Sequence, residues 1–236
     1  LDRLREYVRD WLAAEHNSDQ AVSDVLADPV QGDIDEAVAV ILNTTVCRAL
    51  AFFDFALQTG EDESMDEARD LLSVGVTLAD DAVSIPLWWV LSICRHLIDD
   101  LWEHSLHRNL PVVGPDGGAE RYPELRDIFI SSLYSKKNAE VELWPSQREA
   151  ARRSTDLTDD LVVALPTSAG KTRVAEIAAL MTLSTARRVL IVTPLRALWD
   201  SAYHPFTARA GYPLVMKTHY GRVKLSLRPR RSWTLL

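Results

Sequence analysis

Apolar residues recur every three or four positions through most of the first half of the chain, the spacing that gives a helix one buried face. Leu1, Leu4, Val8, Trp11 and Leu12 predict a helix to about Glu15. A second is expected from about Ile34 to Gln58, stopped by Gly60. A third is expected from Ser64 to about Asp81, with Ser64 and Glu67 spaced as a capping box. A fourth is expected from near Pro86 to about His107, proline being tolerated in a first helical turn. The short connections predict antiparallel αα-hairpins, and no fixed-period repeat stands out. Periodicity breaks at Leu110–Gly118 (LPVVGPDGG), a linker or long loop, and resumes in a helix from about Pro123 to Lys136.

The second half changes character. Leu161–Leu165 (LVVAL) and Arg188–Val192 (RVLIV) are short apolar β-branched runs that predict buried strands, with a helix from Arg173 to about Leu183 between them. A Ser146 N-cap is expected for a short helix carrying Gln147.

Charge follows the same division. Residues 1–140 hold 27 Asp and Glu against 11 Lys and Arg, whereas residues 141–236 hold 7 against 15. A basic half can face phosphates that an acidic half would repel. The length of 236 residues, 47% hydrophobic content and mean hydropathy of −0.07 fit a soluble globular chain with room for a sizeable core. No apolar run is read as a membrane span, and the charged start is not a signal peptide. Leu1 in place of an initiator Met suggests a fragment. Two cysteines, Cys47 and Cys94, make no disulfide framework, so a cytoplasmic location is expected.

Several features of the acidic half have two readings. Trp88, Trp89 and Trp102 are read as core packing before a binding platform. Cys94, His96, His104 and His107 share a predicted helix but lack the CxxC or HExxH spacing of a zinc site. Glu61, Asp62 and Glu63, with Asp66, Glu67 and Asp70, read as a solvated loop and first helical turn.

The first expected strand runs into Pro166-Thr167-Ser168-Ala169-Gly170-Lys171-Thr172 and then a helix. Strand, glycine-containing loop, GKT and helix together are the context of a phosphate-binding loop. Backbone N–H groups of the loop and helix N-terminus cradle phosphates, Lys171 reaches the β/γ oxygens, and the Thr172 hydroxyl ligates Mg²⁺. Leu165 stands where the motif's first glycine would be, which points to a subclass. Thr193-Pro194-Leu195-Arg196-Ala197-Leu198 follows the second strand, at the strand end where open parallel sheets bind ligands. About twenty residues before the loop, the Gln147 amide can pair with both hydrogen-bonding edges of adenine.

LWPSQREA, LPTSAGKT and TPLRAL, in that order and spacing, resemble the Q motif, motif I and motif Ia of superfamily 2 DEAD/DExH-box helicases. The wording looks most like the DExH branch of archaeal repair helicases and exosome- and spliceosome-associated RNA helicases, which often lacks the first loop glycine. The resemblance covers about residues 140–198. It implies ATP and Mg²⁺ as cofactors and DNA or RNA as partner. Gln147, Thr167, Ser168, Ala169, Gly170, Lys171 and Thr172 would bind ATP, Thr172 also holding Mg²⁺, while Thr193, Pro194 and Arg196 would touch the nucleic-acid backbone.

The expected fold is therefore α plus α/β: an acidic all-helical N-terminal domain (1–109), a linker and bridging helix (110–139), and an incomplete RecA-like P-loop α/β domain (140–198). No DExH box or second RecA-like domain follows, so no catalytic residue is assigned, and the chain alone is expected to bind nucleotide weakly and to unwind nothing. A different P-loop NTPase with a helical regulatory domain, or a non-catalytic helical interaction module with a protein partner, remain alternatives.

Residues 199–236 carry seven Lys and Arg and, past Asp200, no acid. They read either as a basic tail or as an out-of-frame stretch. Taking the third base of each codon with the first two of the next forces Gly at Trp199–Asp200, Glu at Met216–Lys217 and Asp at Trp233–Thr234. Allowed choices elsewhere recover REIVVATPEKLDL, a strand followed by a string resembling motif Ib of the same helicases.

Overall fold

The computed structural model describes residues 2–14, 23, 27, 34–116, 120–136, 138–164, 170–190 and 233–235. Two compact units divide the chain, one of Leu1–Glu103 with Lys137–Ala139, the other of His104–Lys136 with Glu140–Leu236. The division falls at Glu103–His104, before the loop at 110–118.

Among the described residues the first unit contains four helices: α1 (Asp2–Ala13), α2 (Ile34–Thr59), α3 (Asp62–Asp81) and α4 (Ile85–Glu103). Leu42, Ala49, Phe53, Leu72, Leu91 and Ile98 are buried at the spacing that the apolar pattern required. Each large side chain of this kind stabilises by about 1.5–3 kcal/mol. Helices α2, α3 and α4 meet at Gly75, where a Cβ would stand 2.8 Å from Leu91 Cδ2 and 3.3 Å from Thr45 Cγ2. Helix α1 is tied to α2 by Arg5 Nε donating to Asp54 at 2.9 Å and Trp11 Nε1 donating to Thr44 Oγ1 at 3.1 Å. Gly60 ends α2 at φ +83°, its N–H donating to the Ala56 carbonyl at 2.7 Å, the left-handed stop that glycine permits.

Four expectations for this half change. Helix α3 starts at Asp62, and Ser64 lies inside it, its hydroxyl donating to Glu61 Oε2 at 3.2 Å. Asp62 and Glu63 occupy the first turn, where the helix dipole favours carboxylates, so the acidic run itself opens the helix and no Ser64 capping box forms. Helix α4 stops at Glu103 short of His107, because Ser105 is extended (φ −61°, ψ 157°) and accepts from the Arg108 N–H at 3.3 Å, opening a new short helix. Trp102 is buried as core packing requires, but Trp89 is largely exposed and meets Trp88 edge-on at 5.4 Å. Finally, Ala37–Thr59 is long and apolar enough to cross a membrane by length and composition, with mean hydropathy 1.6. Arg48 and Asp54 interrupt this stretch, and its Phe53, Ala56 and Leu57 are buried in the unit.

The second unit holds α5 (Leu106–Asn109), α6 (Tyr122–Tyr134), α7 (Pro145–Arg153), α8 (Lys171–Ser184), β1 (Arg188–Leu190) and β2 (Trp233–Leu235). Helix α6 packs within this unit. Its Leu125, Phe129, Ile130 and Leu133 enter one buried cluster with Leu143, Ile177, Leu180 and Val189. Ser105 pairs antiparallel with Glu142, and the Leu106 and Leu143 N–H groups donate to Val141 and His104 carbonyls at 2.8 Å each. Strands β1 and β2 are parallel, Val189 opposite Thr234.

Among the described residues sheet is scarce, so an α/β layer is present only in outline. Residues 161–164 of the expected Leu161–Leu165 strand form no strand, and Val162 is 90% exposed. A strand exists only through bonds to a neighbouring strand, and β1 and β2 are the paired strands among the described residues. Leu165, the rest of the Arg188–Val192 run and residues 199–232 lie outside the described residues.

Candidate nucleotide-binding site

The site is built where α7 and α8 begin. Trp144 is extended (φ −68°, ψ 156°) and Pro145 takes the first helical position of α7, where its missing N–H is no loss. This moves the start of the helix two residues ahead of the expected Ser146 cap. Gln147 then falls in the first turn. Its Oε1 accepts from the Trp144 N–H at 2.9 Å, and its Nε2 donates to the Gly170 carbonyl at 3.4 Å. The side chain is buried.

Gly170 caps α8 in the left-handed region, φ +76° and ψ 32°. Glycine is required here twice over. A side chain at that φ is strained, and a Cβ would stand 1.8 Å from Gln147 Nε2. The Gly170 carbonyl also accepts from the Arg173 and Val174 N–H groups at 3.0 and 3.4 Å. Lys171 and Thr172 follow in the first turn, both exposed. A helix N-terminus with a glycine entry, an exposed ammonium and an exposed hydroxyl suits a phosphate and its Mg²⁺, since the N–H groups of Lys171 and Thr172 open the helix and the dipole favours an anion there.

The structure thus brings together Gln147, Gly170, Lys171 and Thr172, which the sequence placed in two motifs. Thr167, Ser168 and Ala169, and likewise Thr193, Pro194 and Arg196, lie outside the described residues. Both ends of the Gln147 amide are bonded within the chain, so reading adenine requires it to release a partner.

A group of charges that the motifs did not include stands behind Lys171. Arg173 and Glu176, buried on α8, form an ion pair, and Arg173 also pairs with Glu140. The Arg173 guanidinium lies over the Phe129 ring at 5.6 Å, and Lys136 Nζ pairs with Glu140 at 2.8 Å. Burial pushes the Glu176 carboxyl above its ordinary value, partly offset by Arg173, and pulls Arg173 down. The motif spacing does not single out Arg173 or Glu176, and only the apolar setting of α8 hints at this cluster. Among the described residues no group of three or more His, Cys, Asp or Glu could hold a metal. His104 precedes α5 and His107 lies on it, neither within the helix that carries Cys94 and His96.

Residues 144–231 match the DEAD/DEAH box helicase family. The resemblance to superfamily 2 helicases holds. The matched span begins beside Gln147, contains the whole α7–α8 site, and continues past Leu198 into the basic tail. The chain is 30% identical to Hachiman protein HamB of Bacillus cereus over 145 residues, which is 60% of this chain and 12% of that protein. It is 34% identical to ATP-dependent DNA helicase Hel308 of Methanocella arvoryzae over 73 residues, 31% of this chain and 10% of that protein. The chain therefore spans a small part of the length of either relative. The match to HamB is longer than the stretch from residue 140 to Leu236, so it reaches into the sequence before the helicase motifs.

Proposed function

We propose that this chain supplies the nucleotide-gripping front of an ATP-dependent nucleic-acid helicase. Gly170, Lys171 and Thr172 hold the phosphates, with Mg²⁺ on the Thr172 hydroxyl, and Thr167–Ala169 complete the loop. Gln147 meets the adenine, and Thr193, Pro194 and Arg196 grip the nucleic-acid backbone without reading sequence. One observation carries this reading: the Gln147 side chain packs against Gly170 at the start of α8, which supports the two motifs acting together. When bound, ATP–Mg²⁺ supplies the phosphoanhydride energy that drives strand movement. The residues described here bind and orient it, and the chain alone hydrolyses it negligibly. The name of the Hel308 relative favours DNA as the strand. The protein is expected in the cytoplasm.

Melting temperature with and without ATP–Mg²⁺ tests this reading. A ligand at about 100 times its Kd adds roughly 2.7 kcal/mol to a two-state fold, so the chain is expected to melt measurably higher. Lys171→Ala is expected to remove that shift. An equal shift in the variant, or none in the parent, overturns the assignment.

Two observations bear on residues 199–236 in opposite directions. The three forced codon junctions and the recovered TPEKLD string support an out-of-frame stretch, whereas the family match, which runs to residue 231 in the given frame, supports a genuine segment. An out-of-frame stretch predicts that the coding DNA from Pro194 onward holds that string in the shifted frame. Codons incompatible with it establish a genuine basic tail.

A further inference from the structure

We infer that Arg173 and Glu140 are positioning residues that fix how the phosphate-binding turn of α8 presents Lys171. Helical residues step round the axis by about 100°, so Lys171 and Arg173 project in nearly opposite directions. The structure follows that geometry, for Lys171 is exposed and Arg173 is buried. The Arg173 fork is held on both sides. Glu176 takes it within α8, Glu140 takes it from the segment between α6 and α7, and Phe129 of α6 lies against its face. A planar guanidinium with two carboxylate partners resists rotation in a way that apolar packing alone does not. The bond to Glu140 therefore sets the roll of the helix about its own axis, and with it the direction of the Lys171 ammonium and Thr172 hydroxyl. Lys136 pairs with Glu140 and keeps that carboxylate on station.

This inference rests on the nucleotide reading above, and Glu140 separates the two. Glu140 is half-exposed, so replacing it leaves Arg173 paired with Glu176 inside the fold. ATP–Mg²⁺ affinity of the whole chain is measured by calorimetric titration for the parent, Glu140→Ala and Glu140→Gln. The alanine variant is expected to bind about threefold to thirtyfold more weakly, the range of coupling carried by residues that touch no ligand. Its melting temperature without nucleotide is expected to match the parent's. The glutamine variant keeps a carbonyl acceptor for Arg173 and is expected to recover most of the affinity, a rescue that mere loss of surface charge does not give. Equal affinity in all three proteins overturns the positioning role and leaves the nucleotide site standing. An alanine variant that weakens binding only in proportion to a lowered melting temperature also overturns it. A parent chain that binds no ATP–Mg²⁺ overturns both readings.

Discussion

Both units carry ion pairs at the surface, but among the described residues the second also buries one. In the helical unit Arg69 bridges Asp66 and Asp99 at 3.0 and 2.6 Å, and Arg5 reaches Asp54, all of them partly exposed. In the second unit an arginine and a glutamate are buried at the first turns of α8, beside the candidate phosphate site. Glycines differ in the same sense. Gly75 is helical and small because Leu91 and Thr45 crowd it, whereas Gly170 is left-handed and small because Gln147 occupies its side-chain space. The helical unit also has a left-handed glycine, Gly60, but it ends a helix, whereas Gly170 opens one beside a buried ion pair. Buried charge and a left-handed entry both cost stability, and their coincidence at one helix start supports the proposal that this start holds nucleotide.

That contrast can be broken at four places. Removing one partner of the buried pair has the largest expected effect. Arg173→Ala leaves Glu176 buried without its cation and is expected to cost about 3–5 kcal/mol in denaturant unfolding. Arg173→Met combined with Glu176→Leu is expected to restore most of that loss, because no unpaired charge remains. Gly170→Ala comes next: about 1–2 kcal/mol from the left-handed backbone, and about 1 kcal/mol as Gln147 is driven from its bonds. It is also expected to abolish any melting shift with ATP–Mg²⁺.

Gly75→Ala tests the other kind of glycine. Overpacking against Leu91 costs about 1–3 kcal/mol, offset by about 1 kcal/mol of helix propensity, so a net loss of about 1 kcal/mol is expected with the nucleotide shift intact. Arg69→Ala sits at the bottom of the scale, below about 1 kcal/mol for a pair that water still reaches. A loss at Arg69 equal to that at Arg173 would erase the distinction between the units.

Much of this was legible in the order of residues, for reasons that are local. The helices α1–α4 follow from apolar spacing, and their bodies fall where the spacing puts them. Their ends were harder, because competing signals stood side by side. Asp62 and Glu63 open α3 ahead of Ser64, Pro145 opens α7 ahead of Ser146, and Ser105 interrupts a run whose apolar pattern continues. The strand expected at Leu161–Leu165 depended on partners far away in sequence, which no local pattern specifies. For the site, the motif spacing named Gln147 and Gly170, but their contact across 23 positions came from the fold. The Arg173–Glu140 link was hidden for a similar reason, since nothing in the sequence says which carboxylate a buried guanidinium will find.

Gln147 and the Gly170–Lys171–Thr172 turn are proposed to form one nucleotide site. Amide nuclear magnetic resonance of the whole chain during ATP–Mg²⁺ titration addresses it most directly. The Gln147 side-chain NH₂ and the backbone amides of Gly170, Lys171 and Thr172 are expected to move together with a single binding constant, while the Gly75 amide stays still. Stationary Gly170 and Gln147 signals under saturating ATP–Mg²⁺, or shifts centred on the helical unit, would contradict it.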